Sequence, residues 1–374
     1  MQKKTWRITI IIAILFLLSG LAGLTAAYKN FLKIPIVQPD RPLDYVLKPG
    51  ASIRTLASDL HQLGLLPQPK FLILLAYWKG AVKALKAGEY LFPPGTKPTQ
   101  LLNIMVAGKV HYHRFTLIEG WNFQQLLSAI NSDPHLVHTI INLAPEQIAQ
   151  KIGLPPINPE GLFFPATYYF TTGKTDVDIL RQANQTMTNQ LAQAWQERAP
   201  NLNYNSAYQA LIVASLVEKE TAATKERPLV AQVIANRLQK GMLLQIDSTV
   251  TYGLGQNYTG KLTVANLKQD TPYNTYTRKG LPPTPIAIPS GEAIRAVLHP
   301  SENNFLYFVA KGNGTHQFSQ TLNQHNLAVN QYQIKLSFPK IGKLYNSFNC
   351  KKTWYTSAMI QELIGNRCVL RNLN

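Results

Sequence analysis

The chain has 374 residues, 45% of them hydrophobic and 15% charged. That length and composition support packed cores in about two domains and exclude wholesale disorder. The formal net charge of +18 asks for an anionic partner, but no zinc-finger spacing, RNP motif or long Lys/Arg block is present, which argues against nucleic acid.

The N-terminal "MQKKTWR" is basic, and residues 8–28, "ITIIIAILFLLSGLAGLTAAY", carry no charge. As a helix this stretch is about 30 Å long, the thickness of one hydrocarbon core. Lys3, Lys4 and Arg7 predict a cytoplasmic N-terminus. A retained anchor is favoured over a cleaved signal peptide, because the apolar run is longer than a usual signal core. Residues 30–45 mix prolines and polar residues and read as a stem.

An α+β unit is expected next, over 46–114. Ile53, Leu56, Ala57, Leu60 and Leu63 keep helical spacing, with Gly64 as the stop. A second helix runs through "KFLILLAYWKG", a strand through "AGEYLF", and a third helix ends at Gly108. "HYHRFTLI" predicts a strand and "EGWN" a helix start. Residues 115–204 read as a connecting part, broken by the packed segment "PPINPEGLFFPATYYF".

Residues 205–340 form the largest α+β block. Ser206 and Gln209 suggest a capping box opening an apolar helix. A second helix, "ERPLVAQVIANRLQKG", has Pro228 early and Gly241 at its end. Short strands and loops are expected after it. "GNG" (312–314) reads as a hairpin turn rather than a nucleotide loop, which would need a following helix. Residues 341–374 are basic and hold Cys350 and Cys368, which an oxidising compartment would allow to bridge.

There is no HExxH, no GxSxG and no P-loop. The eight histidines are scattered, with no carboxylate or cysteine at ligand spacing, so neither a metal site nor a cofactor is expected. Carboxylates remain. The apolar run 211–217 ends in Glu218-Lys219-Glu220. The two glutamates point about 160° apart on a helix, so they cannot form one acid pair, and both stripes are apolar. "QIDSTVTYG" and "TPYNTYT" are dense in hydroxyls, amides and tyrosines, groups that bind sugars. A glutamate in a partly apolar pocket gains a raised pKa and can protonate a glycosidic oxygen. Glu226 and Arg227 are expected to pair at the helix junction.

The ordered set "ASLVEKETA", "ERPLVAQVIANRL", "GMLLQIDSTVTYGLG", "TPYNTYTRKGLPPTPIAIPS" and "LHPSENNFLYFVAKGNGTHQFSQTLNQHN", with "EGLFFPATY" and "AGEYLF" upstream, resembles the membrane-anchored endolytic murein transglycosylases, or YceG-like proteins. The similarity covers about residues 5–335. It implies an enzyme cutting the MurNAc-β-1,4-GlcNAc bond within peptidoglycan glycan strands, leaving 1,6-anhydroMurNAc ends. It implies a LysM-like glycan-binding subdomain at 46–114, a catalytic core at 205–340, a single anchor in the inner membrane over 1–29, and peptidoglycan synthases as neighbours. It implies Glu218 as the catalytic acid and base. Gln245, Asp247, Ser248, Thr249, Tyr252, Asn274 and Tyr276 are expected to line the glycan cleft. Family members often carry Asp where Ala166 stands. A non-catalytic peptidoglycan scaffold and a hydrolytic muramidase using Asp247 are the alternatives.

Overall fold

A computed structural model describes residues 2–334. The basic tail 341–374, with Cys350 and Cys368, lies outside the described residues. The chain is mixed helix and strand and divides into two compact units. The first runs up to Arg114 and includes Tyr169–Lys174; the second holds Phe115–Tyr168 and the chain from Thr175 on.

The first unit opens with α1 (Gln2–Lys33), whose segment Ile10–Lys33 is long and apolar enough to cross a membrane, its apolar 18-residue stretch unburied by protein. Then follow β1 (Leu43–Leu47), α2 (Ile53–Gln62), α3 (Pro69–Trp78), β2 (Gly88–Phe92) and α4 (Pro98–Ala107). β1 and β2 pair antiparallel, with Tyr45 opposite Tyr90 and Leu47 opposite Gly88. Alternation along each strand turns Tyr45, Leu47, Tyr90 and Phe92 inward. There they meet Leu56 and Leu60 of α2, Leu72 of α3, and Leu101 and Met105 of α4. Ser52 caps α2, accepting from the Thr55 N–H at 3.3 Å.

Much of the segment expected as a stem is packed structure. α1 continues to Lys33, and Phe31 and Leu32 lean on the first unit's core. Ile36 and Val37 are buried within it, their N–H groups bonded to the Thr96 carbonyl at 2.8 and 3.2 Å. Prolines at 35, 39 and 42 shape this path rather than loosening it.

The chain passes between units three times: within the short strands β3 (His113–Thr116) and β4 (Thr167–Phe170), and again from Lys174 to Thr175. The second unit holds α5 (Phe123–Asn131), α6 (Pro145–Ile152), α7 (Asp176–Gln196), α8 (Ala207–Glu220) and α9 (Arg227–Gln239). α10 (Asp247–Leu254), α11 (Val264–Lys268), α12 (Gly291–Leu298), the hairpin β5 (Tyr307–Ala310) and β6 (His316–Ser319), and α13 (Leu322–Val329) complete it. One segment expected as strand or loop, "LLQIDSTVTYGLG", contains a helix, α10. "DSTVTYGL" is rich in β-branched residues, but α10 buries Val250 and Leu254 at helical spacing against Leu267, and that packing overrides propensity. The "GNG" turn does join β5 to β6, with Gly312 and Gly314 at φ 84° and 82°.

α8 is the central helix. Its residues 210–217 are all buried, on every face, between α7, α9 and α12. Such a helix has no polar side to show water. The motif "PEGLFFP" packs beside it: Gly161 has φ +74°, and a side chain there would meet the Pro285 ring at 2.4 Å.

Candidate active site

The end of α8 carries both glutamates, and the structure gives them different surroundings. Glu218 is tied up. One carboxylate oxygen takes the Arg227 guanidinium at 3.0 Å; the other accepts from the Ser290 N–H at 2.9 Å and its hydroxyl at 2.6 Å. The Glu218 and Arg227 side chains are only 5% and 8% exposed. Arg227 also reaches Ser290 and Glu292. Because Arg227 opens α9 and Ser290 caps α12, this ion pair joins three helix ends. The expected Glu226–Arg227 pair does not form: Glu226 instead binds His316 of β6, through Nδ1 at 2.7 Å and the backbone N–H at 2.9 Å.

Glu220 faces a cavity of about 210 Å³ lined by Arg237, Gln245, Asp247, Tyr276, Tyr307, His316 and His325. Glu218 is not among its lining residues. Ser248 donates its hydroxyl to Glu220 at 3.0 Å. Glu220 keeps a little solvent contact, yet burial pushes its carboxyl up to about 7; Ser248 and Lys219 pull it down and the Asp247 charge pushes it further up. Asp247 is itself raised by burial, opposed by a hydrogen bond from the Tyr276 hydroxyl. Burial and the Asp247 charge hold the Tyr276 phenol well above its usual range. The cavity therefore holds a carboxyl that exchanges protons near neutrality, next to a second carboxyl and a firmly protonated phenol.

Several elements place these groups. Gln245 sits at φ +53°, a left-handed conformation uncommon for a side-chain-bearing residue. Its N–H bonds the Thr275 carbonyl at 3.1 Å, and this bend starts α10 with Asp247. Thr249 is fully buried and bonds the Ile246 carbonyl and the Thr275 hydroxyl. Asn274 is equally buried; its amide holds the Leu267 and Gln269 carbonyls. These two pin the Tyr276 loop against α10 and do not reach the cavity. Tyr252 lies elsewhere, its hydroxyl donating to Glu160 at 3.1 Å and its ring against Tyr273. Of the residues expected to line a glycan cleft, Gln245, Asp247 and Tyr276 line this cavity, Ser248 holds Glu220, and Thr249, Asn274 and Tyr252 do not line it.

Sequence reasoning did not find Arg237, His316 or His325 at this cavity. Arg237 donates to the Leu306, Leu243 and Leu244 carbonyls and lies over the Tyr307 ring at 5.1 Å. His325 stacks on the Tyr307 ring at 5.3 Å, and burial, with Arg237 nearby, lowers it to about 4. They come from α9, β6 and α13, and no local spacing links them. Glu160 was also missed: it is 2% exposed, accepts the Phe123 N–H at 3.0 Å, and is pushed up to about 7 by burial.

Residues 45–331 match the model of the YceG-like family. The chain is 30% identical over 300 residues to the endolytic murein transglycosylase of Bacillus subtilis, covering 76% of this chain and 82% of that protein. It is 37% identical over 156 residues to the protein of the same name in Streptococcus pneumoniae, 40% of this chain and 28% of that one. A crystal structure of a putative YceG-like protein from Listeria monocytogenes is similar with TM-score 0.52 and 27% identity, over 77% of this chain and 98% of that chain. Matched along most of its length by sequence and by fold, this chain belongs to the YceG-like family.

Proposed function

We propose that this chain is a membrane-anchored lytic transglycosylase that cuts within peptidoglycan glycan strands, with Glu220 as its general acid and then base. The observation that carries the assignment is Glu220's place in the cavity, with a pKa near 7 and Ser248, Asp247 and Tyr276 around it. The names of the Bacillus and Streptococcus relatives support the substrate class. The neighbouring Glu218, expected from the sequence, spends both oxygens on Arg227 and Ser290.

In the proposed reaction, protonated Glu220 gives its proton to the glycosidic oxygen between MurNAc and GlcNAc as the C1–O bond breaks. The resulting carboxylate takes the proton of the C6 hydroxyl of the same MurNAc, whose oxygen bonds to C1. One 1,6-anhydroMurNAc end and one free GlcNAc hydroxyl result, and Glu220 is again protonated. The nucleophile belongs to the substrate, so its effective concentration is high and no enzyme nucleophile is needed. A group titrating near 7 suits both half-reactions at neutral pH. Asp247, held by Tyr276, keeps the Glu220 proton on until the leaving oxygen draws it away.

The basic N-terminus supports an orientation with the N-terminus cytoplasmic and both units at the outer face of the inner membrane. Residues 46–114 are proposed to hold glycan as a LysM-like unit, and the peptidoglycan synthases are proposed partners. Product analysis tests the reading. The full chain, Glu220→Gln and Glu218→Gln are incubated with uncrosslinked glycan strands, and the fragments are weighed by mass spectrometry. Anhydro-ended internal fragments from the wild type and Glu218→Gln, but not from Glu220→Gln, are the expected result. Loss in Glu218→Gln alone, with its fold intact, would return the role to Glu218. Reducing ends would mean hydrolysis, with Asp247 assisting water.

A further inference from the structure

The first unit carries an uncovered apolar helix face beside the exit of the anchor. At 100° per residue, Lys70, Phe71, Leu74, Tyr77 and Trp78 of α3 fall within an arc of about 120°. Leu72, Leu75 and Ala76 occupy the opposite side and are buried. On the outer arc Leu74 is 41% exposed, Tyr77 57% and Trp78 79%. Scattered exposed apolar residues are ordinary, but an aliphatic side chain and two large aromatics contiguous on one helix face are not.

Phe71, on the same arc, locates this face relative to the membrane. Its ring lies 5.6 Å from the rings of both Tyr28 and Phe31 on α1. A hydrocarbon core takes about 20 helical residues, so a span beginning near residue 8 reaches the outer headgroups near Tyr28. The first turn of α3 thus stands at headgroup level. An apolar groove of about 190 Å³ opens at the same place, lined by Ala27, Phe31, Ile34, Leu65, Leu66 and Phe71. The charges agree with this placement. Between residues 62 and 88 the chain has four lysines and no acidic residue, and Lys29 and Lys33 are exposed on α1. Tyr and Trp prefer the interface, and lysines there meet anionic headgroups.

We propose that the Leu74–Tyr77–Trp78 face of α3 is seated in the outer leaflet of the bilayer that α1 crosses, so that the first unit is held on the membrane at two points. The occupant of the face is lipid. The inference goes beyond the glycan chemistry and rests on α1 spanning a membrane.

The test uses the full chain in phosphatidylethanolamine–phosphatidylglycerol vesicles, as wild type and as the shape-conserving Trp78→Phe. The difference between their emission spectra isolates Trp78 from the other four tryptophans. The expected difference spectrum is blue-shifted from that of indole in water, and it disappears when the lipids are brominated near the headgroup end of the acyl chains. A water-like difference spectrum untouched by brominated lipid would overturn the proposal and leave the face to a protein partner. Flotation of the same vesicles reports the anchor separately; a chain that failed to float would overturn the proposal too. Glycan cleavage enters neither readout, so failure here leaves the transglycosylase reading standing.

Discussion

At the scale of residues, the proton chemistry of the cavity yields opposite-signed predictions. With Glu220 as the proposed acid, its protonated form is the reactive one, so kcat/KM should fall as pH rises through about 7. The Asp247 anion raises Glu220, so Asp247→Asn should move that alkaline limb to lower pH. The Ser248 hydroxyl lowers it, so Ser248→Ala should move the limb to higher pH. Parallel pH–rate profiles of the three proteins check both signs; two limbs that do not move would remove Glu220 from the titration. The same shifts affect stability. Unfolded glutamates ionise near 4.5, while folded Glu160 keeps its proton to about 7. The folded state therefore binds more protons between those values. Stability is full below about 4.5 and declines as pH rises through about 7, by roughly 3 kcal/mol for such a shift. Glu160→Gln should flatten the decline of Tm between pH 5 and 8, read by calorimetry.

At the scale of elements, Glu218 has a different consequence. It ties the end of α8 to the starts of α9 and α12 through Arg227 and Ser290. Glu218→Ala leaves a buried guanidinium with only Glu292, itself largely exposed, as its acid partner. A loss of about 3 kcal/mol is expected in urea denaturation, larger than for Glu220→Gln. Gly161 is the second element-scale test. Its left-handed φ and the Pro285 ring behind it leave no room for a methyl. Gly161→Ala should destabilise the second unit by about 1–3 kcal/mol from backbone strain and overpacking, seen as a lower Tm.

At the scale of the whole molecule, the end of α1 belongs to the first unit's fold. Phe31 and Leu32 pack on its core, and Tyr28 meets Phe71. A soluble fragment beginning at residue 35 loses these contacts, whereas one beginning at residue 25 keeps them. The shorter fragment should be less stable by about 1–3 kcal/mol, the scale of one or two partly buried side chains; equal denaturation midpoints would show the contacts to be idle.

What the sequence determined by itself follows from periodicity and from runs. The uncharged stretch at 8–28 predicted a membrane-length helix, the spacing of Ile53 through Leu63 predicted α2, and the order of motifs pointed to the family. Those signals are local, or they repeat along the chain. Tertiary structure decided the rest. α10 is a helix because Val250 and Leu254 pack on Leu267, a contact invisible in "DSTVTYGL". Ile36 and Val37 are core, not stem, because Thr96, sixty residues on, receives their N–H groups. Which of Glu218 and Glu220 faces the cavity is the sharpest case. α8 is apolar on all sides, so no hydrophobic stripe marks which glutamate faces a cavity. Arg227 and Ser290 reach one from α9 and α12; Ser248 and Asp247 reach the other from α10. The proton affinity of a carboxyl is set by what burial and partners bring to it, and those partners come from elsewhere in the chain.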